Sequence, residues 1–270
     1  MANLISFIVG IIGNIISILV FLSPIRTFQR IVKRKSTEDY ESLPYITALL
    51  TASLWTFYGL IKPGGLLVST VNGAGSVLEC IYVTLFLMYA PKGAKVRTMK
   101  IAGFLNVGFF GLVIAIALLA IHGKMQITFV GVICSGLTVG MYASPLSAMK
   151  TVLKTKSVVY MPFFLSFFLF LNAAVWSVYS ILVKDIFLGV PNAVGLVLGS
   201  AQLIMYSVYK NKSINQSTRS TEEEGSIKLP KGAVELHLHE ENHGQDHETK
   251  IKNRNHKANN PSEDDIILNV

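Results

Sequence analysis

Two asparagines and two tryptophans stand where an apolar chain has little use for them. Asn72 and Asn192 each lie inside an apolar run, and each is followed three residues later by a glycine, Gly75 and Gly195. A buried amide left unpaired costs about 1–3 kcal/mol, so each needs a partner on a neighbouring helix or on a polar ligand. Trp55 and Trp176 also sit well inside apolar runs, away from the ends where an interfacial tryptophan would anchor a helix. Indole rings are flat platforms for the C–H faces of a sugar, and amides supply the donors and acceptors that its hydroxyls need. Two of each describe a pocket for a neutral polyhydroxy ligand, because an ionic one would want a fixed counter-charge.

A single asparagine of this kind could be glue between helices. The spacing argues for more. Pro24 and Pro145, Ser36 and Ser157, Trp55 and Trp176, and Tyr58 and Tyr179 all share an offset of 121, and Asn72 to Asn192 differs from it by one residue. So many uncommon residues in step indicate an internal duplication, residues 21–89 and 142–209. Equivalent asparagines then face each other across the axis relating the two copies, which favours a shared site.

The elements that must position these residues are membrane helices. The 270 residues are 51% hydrophobic and only 15% charged. About 20 mostly apolar residues suffice to cross a hydrocarbon core about 30 Å thick. Seven stretches qualify, roughly 4–25, 43–61, 66–90, 101–121, 127–149, 161–183 and 186–209. The first lacks a basic front and a clear small-residue cleavage site and contains part of the repeat, so it is read as part of the mature protein.

Up to Tyr209 the chain holds 15 of its 24 Lys/Arg but 5 of its 16 Asp/Glu. The basic residues cluster between apolar runs, unlike a nucleic-acid-binding face. Arg26, Arg30, Lys33, Arg34 and Lys35 follow the first run; Lys92, Lys95, Arg97 and Lys100 the third; Lys150, Lys154 and Lys156 the fifth. The alternate connections hold only Lys62, Lys124 and Lys184. The positive-inside rule puts the N-terminus outside or in the lumen and the C-terminal tail in the cytosol. A basic cluster after the first helix of both copies requires the copies to share one orientation, so a single extra crossing must separate them. The expected architecture is an all-α membrane protein of three plus one plus three helices: residues 1–90, a linker over 91–124, residues 125–209, and a tail over 210–270 that its composition predicts to be mostly disordered.

Four prolines, Pro24, Pro44, Pro145 and Pro162, fall on the cytosolic half of helices 1, 2, 5 and 6 and could form a hinge; Pro44 and Pro162 could equally be ordinary first-turn prolines. Glu79, seven residues after Asn72 and on the same helix face, is the acid deep within a span. It reads as a proton carrier or as a neutral, hydrogen-bonded side chain, and Gly199 at its counterpart favours the second. Cys80 and Cys134 read as apolar fillers. His237, His239, His243 and His247 suggest a metal site, but their flexible acidic setting fits a solvated tail better. No metal or cofactor is expected. Gly73-Ala-Gly75 lacks the lysine of a phosphate loop, and no Ser/His/Asp set marks an enzyme.

Together these residues resemble the SWEET family of sugar transporters over residues 5–211, through segments including Leu22-Ser-Pro24, Ser42-Leu-Pro44, Leu54-Trp55, Val71-Asn-Gly73, Tyr142-Ala-Ser-Pro145, Tyr160-Met-Pro-Phe-Phe-Leu-Ser-Phe-Phe168 and Val190-Pro-Asn192. The resemblance implies movement of mono- or disaccharides down their gradient by alternating access. It matches Asn72, Asn192, Trp55 and Trp176 to sugar-binding positions, the four prolines to a tetrad on which the bundle rocks, and Tyr58 and Asp185 to an outer gate. Val20, Thr51, Met141 and Asn172 match the positions that shape the pocket, and the bulk of Met141 and Asn172 points to a hexose, glucose or fructose. Val68-Ser-Thr-Val-Asn72 and Phe168-Leu-Phe-Leu-Asn172 are most similar to plant members of the vacuolar membrane, with the plasma membrane as the alternative.

The partners expected are the hexose and the lipid bilayer, with no nucleic acid; a homo- or hetero-oligomer is left open. Two other readings compete with a uniporter. A proton-coupled carrier would use Glu79. A seven-helix receptor shares the helix count but need not be duplicated, and the last span has no lysine for a retinal Schiff base.

Overall fold

Backbone hydrogen bonds cannot be satisfied by hydrocarbon, so apolar runs of this length must close their bonds internally as helices. The computed structural model describes the backbone of residues 2–158 and 163–227 and contains helices and no strand among them. The helices are α1 (Ala2–Phe21), α2 (Ile25–Arg34), α3 (Leu43–Ile61), α4 (Leu66–Tyr89), α5 (Lys92–Ala102), a π-helical segment (Gly103–Phe109), α6 (Phe110–Leu119), α7 (Lys124–Met141), α8 (Ala143–Thr155), α9 (Phe163–Leu182) and α10 (Ile186–Ile227). Pro162 and the four tail histidines lie outside the described residues. The chain divides into two units, Met1–Ser213 and Ile214–Val270.

Among the described residues seven spans are long and apolar enough to cross a membrane: Leu4–Arg34, Leu43–Ile61, Leu66–Tyr89, Lys92–Leu119, Lys124–Thr155, Phe163–Leu182 and Ile186–Lys210. Their number and order match the sequence reading, and their ends do not. The basic clusters expected in loops are helical, on α2, α5 and α8. α1 ends at Phe21, a turn over residues 22–24 leads through Pro24 into α2, and Phe28 and Ile31 supply the buried face of that helix. Lys35 and Lys156, again 121 apart, then stop α2 and α8 in the left-handed conformation, with φ of 52° and 55°.

At the other end of the membrane part, α10 continues past Tyr209 to Ile227, where disorder was expected from residue 210. No proline falls within 210–227, and the acidic run Glu222–Glu224 is made of good helix formers.

Within each repeat the first and third helices are joined by equivalent bonds. Asn14 on α1 donates its amide N–H to the Leu67 carbonyl of α4 at 3.0 Å. Its counterpart Ser135 on α7 donates to the Phe187 carbonyl of α10 at 2.5 Å. Phe187 has a free carbonyl because Pro191, four residues on inside α10, has no N–H to give it. The repeats meet where α1 packs on α9 and α3 on α7. The linker span leans on α3, fixed by the Ser42–Thr98 hydroxyl pair at 2.7 Å and by Asn106, which donates to the Ile46 carbonyl at 3.2 Å. Cys80 and Cys134 are free thiols, as fillers should be.

Candidate functional site

Between the repeats lies a cavity of about 250 Å³. It brings together all eight residues expected to bind or shape a ligand: Val20, Thr51, Trp55, Asn72, Met141, Asn172, Trp176 and Asn192. Ser17 and Thr138 complete the polar part of the wall, and no charged side chain lines it. Most of the lining falls into pairs related by the duplication, while Phe21, Ala48, Ala52 and Val71 come from the first repeat without a counterpart in the wall.

The two key amides are oriented identically. Asn72 Nδ2 donates to the Val68 carbonyl one turn back at 2.9 Å, and Asn192 Nδ2 donates to the Leu188 carbonyl at 2.8 Å. A carbonyl can only accept, so the nitrogen of each amide must face its own helix and the oxygen is left for the cavity. Neither Oδ1 has a hydrogen-bond partner among the described residues. Each indole is held from the opposite repeat: Trp55 Nε1 donates to Thr138 Oγ1 at 3.0 Å, and Trp176 Nε1 donates to Ser17 Oγ at 2.9 Å. Ser17 and Thr138 are themselves 121 apart, a hydroxyl pair legible in the sequence once the offset is known. Of the shaping residues, Thr51 donates to Met141 Sδ at 3.3 Å and Asn172 Oδ1 accepts from Ser17 at 2.7 Å.

Three residues beyond Trp55 in the chain lies Tyr58, which the family resemblance pairs with Asp185 as an outer gate. Tyr58, fully buried, donates its hydroxyl to both oxygens of Asp185, 4% exposed, at 2.9 and 3.1 Å. Lys62 forms an ion pair with the same carboxylate. Asp185 Oδ1 also accepts the N–H groups of Phe187 and Leu188, both at 3.1 Å, and so caps the N-terminus of α10. The sequence reading placed Lys62 only among the connection lysines; its role depends on α3 delivering it one turn beyond Tyr58.

Among the prolines, Pro24 is the residue before α2, Pro44 lies in the first turn of α3, and Pro145 sits in the first turn of α8, just past the break at Tyr142. Glu79 is not on the cavity wall. It is 4% exposed in α4, and its Oε2 has no hydrogen-bond partner among the described residues. No cluster of metal-ligating side chains occurs among the described residues.

Outside the spans, Glu38 lies between Arg30 Nε, at 3.0 Å, and Arg34. Desolvation works to raise its carboxyl, but the hydrogen bonds and charges of Arg34 and Arg30 together outweigh it and hold the pKa below the usual carboxylate range.

Two like-oriented three-helix repeats around one uncharged cavity define a membrane transporter. A family model described as "Sugar efflux transporter for intercellular exchange" matches the chain twice, over residues 7–94 and 128–214, once on each repeat. The chain belongs to this SWEET family, which is one of transporters and not of enzymes. It is 62% identical over 205 residues to the "Bidirectional sugar transporter SWEET16" of Oryza sativa subsp. japonica, a match covering 76% of this chain and 62% of the rice protein. It is 57% identical over 207 residues to the "Bidirectional sugar transporter SWEET17" of Arabidopsis thaliana, covering 76% of this chain and 86% of that one. The structure of a eukaryotic SWEET transporter superposes with a TM-score of 0.75 at 37% identity, over 78% of this chain and 99% of that one.

Proposed function

We propose that the protein is a uniporter that moves a neutral hexose, glucose or fructose, down its gradient by alternating access. The observation that carries this reading is the uncharged cavity, in which two indole platforms and two outward-facing amide oxygens are repeated across the pseudo-twofold axis. Hydroxyls can donate to Asn72 and Asn192 while the C–H faces of the ring rest on Trp55 and Trp176. With no fixed ion in the wall, binding stays modest and release is possible in either direction. The size of Met141 and Asn172 supports a hexose over a disaccharide.

Residues 1–90 and 125–209 are the moving units in this reading, with 91–124 as the linker. Opening requires the Tyr58–Asp185 contact to break, with bending at Pro24, Pro44, Pro145 and Pro162. The basic residues of α2, α5 and α8 support a lumenal or extracellular N-terminus and a cytosolic tail. The resemblance of Val68–Asn72 and Phe168–Asn172 to plant vacuolar members supports the vacuolar membrane, which fluorescent tagging in plant cells tests. A homo- or hetero-oligomer is compatible with a cavity complete within one chain.

The deciding experiment is uptake of radiolabelled glucose, fructose and sucrose by proteoliposomes carrying the protein. Hexose flux that Asn192→Ala abolishes supports the reading, whereas sucrose entering as fast as fructose refutes the hexose assignment. The unpartnered Oε2 of Glu79 favours one second reading, proton coupling. Sugar accumulated against its gradient by an imposed pH difference, and lost in Glu79→Gln, would establish that instead.

A further inference from the structure

We infer that Ser17 and Thr138 are positioning residues of the cavity, and that Ser17 sets the polarity the second repeat presents to the ligand. The inference rests on reading the cavity as the sugar site. An indole N–H is the ring's single polar group and can only donate, so one acceptor suffices to fix which way the ring faces. Each tryptophan finds that acceptor on the first helix of the other repeat, Trp55 on Thr138 at 3.0 Å and Trp176 on Ser17 at 2.9 Å. The two platforms are therefore oriented across the interface, by the part of the molecule that moves relative to them.

The hydroxyls differ in where they send their own proton. Thr138 donates to the Cys134 carbonyl of its own helix at 2.8 Å, a closed arrangement with no effect on the wall. Ser17 donates to Asn172 Oδ1 at 2.7 Å. With its oxygen taken, Asn172 leaves its two N–H donors for the cavity, whereas Asn72 and Asn192 leave acceptors there. The chain Trp176 to Ser17 to Asn172 thus makes one donor corner in a wall whose other amides accept. A hydroxylated ligand that both donates and accepts on neighbouring carbons satisfies both kinds. Ser17 is buried at 6% exposure, so water does not compete for either bond.

Two measurements test this. The chain has only two tryptophans, so in a Trp55→Phe background emission reports Trp176 alone. Ser17→Ala should shift that emission and Ser17→Thr, which keeps the hydroxyl, should restore it, with no sugar present. In proteoliposomes Ser17→Ala should raise the KM for glucose about five- to tenfold with kcat within about twofold, and Ser17→Cys, close in size, should fall between. Thr138→Ala, which frees one ring and no amide, should raise KM by about two- to threefold. Monodeoxy glucoses should lose less, relative to glucose, in Ser17→Ala than in the unaltered protein.

An unchanged Trp176 emission in Ser17→Ala, or a KM that does not move while the emission does, overturns the inference. If the unaltered protein carries no sugar at all, it is the transport reading that fails, and the emission arm still decides whether Ser17 orients the ring.

Discussion

At the cavity the two repeats present the same indoles and amides. Trp55 and Trp176 both reach a hydroxyl of the opposite repeat, and Asn72 and Asn192 both turn their nitrogens to their own helix. At Tyr58 and Tyr179 they share an edge-on contact with a tryptophan, and there the likeness ends. The first repeat brings Tyr58 and Lys62; the second brings Asp185, while Tyr179, the partner of Tyr58 by position, makes no hydrogen bond to a carboxylate among the described residues. A ligand held on a pseudo-twofold axis needs like groups on both sides. A closure made of a donor, a cation and an anion needs unlike ones, so duplication could be kept in the first place and had to be broken in the second.

The largest test of that contrast is Asp185→Ala. It strands the Lys62 cation, leaves the Tyr58 hydroxyl without its acceptor and uncaps α10. Loss of a buried ion-pair partner and of a cap should together cost about 3 kcal/mol, read as a lowered Tm in detergent. Asp185→Asn, which still caps and still accepts from Tyr58, should lose markedly less. Equal losses in the two variants would mean that the charge, and not the hydrogen bonds, holds the gate.

Next come Asn72→Ala and Asn192→Ala. If the cavity is as symmetric as its bonds, each should cut hexose uptake at low concentration by about tenfold, the consequence of losing one or two hydrogen bonds to ligand. A strong effect from one and none from the other would break the symmetry of the site.

Smaller effects are expected at the glycines. Gly73 stands where the second repeat has Ala193, and a Cβ there would be 3.7 Å from Thr56 at the nearest, so Gly73→Ala should be neutral or stabilising by up to about 1 kcal/mol. Gly199 stands where the first repeat has Glu79, and a Cβ there would lie 3.0 Å from the Phe170 Cβ and 3.1 Å from its Cα, so Gly199→Ala should destabilise by about 1 kcal/mol. Thermal unfolding of the pair should move in opposite directions.

The smallest effect belongs to Glu38. Its folded pKa is depressed, so its contribution is present above the ordinary carboxylate pKa and fades as pH falls through the depressed value. Glu38→Gln should lower Tm slightly at pH 7 and leave it unchanged at a pH below that depressed value.

Much of this was legible from residue types alone. The offset of 121 located the paired indoles and, one residue short, the paired amides, and the resemblance identified the four pocket-shaping positions, all of which the structure gathers into one wall. Ser17, Thr138, Asn14 and Ser135 were not singled out, because a serine or threonine in a membrane helix usually satisfies itself on its own backbone, as Thr56 and Ser200 do here. Lys62 was missed for a related reason: a lysine at a helix end has an ordinary use in water, and only the approach of α10 gives it a carboxylate.

The sequence by itself determined the seven spans, their order and the duplication. Hydrocarbon forces backbone bonding to be local, and a span is therefore visible in the composition of about 20 consecutive residues. Only the tertiary structure decided which hydroxyl faces which indole and which groups meet Asp185. Those choices depend on residues 83 to 159 positions apart in the chain approaching to hydrogen-bond distance, and that distance is set by side-chain packing that no local pattern records.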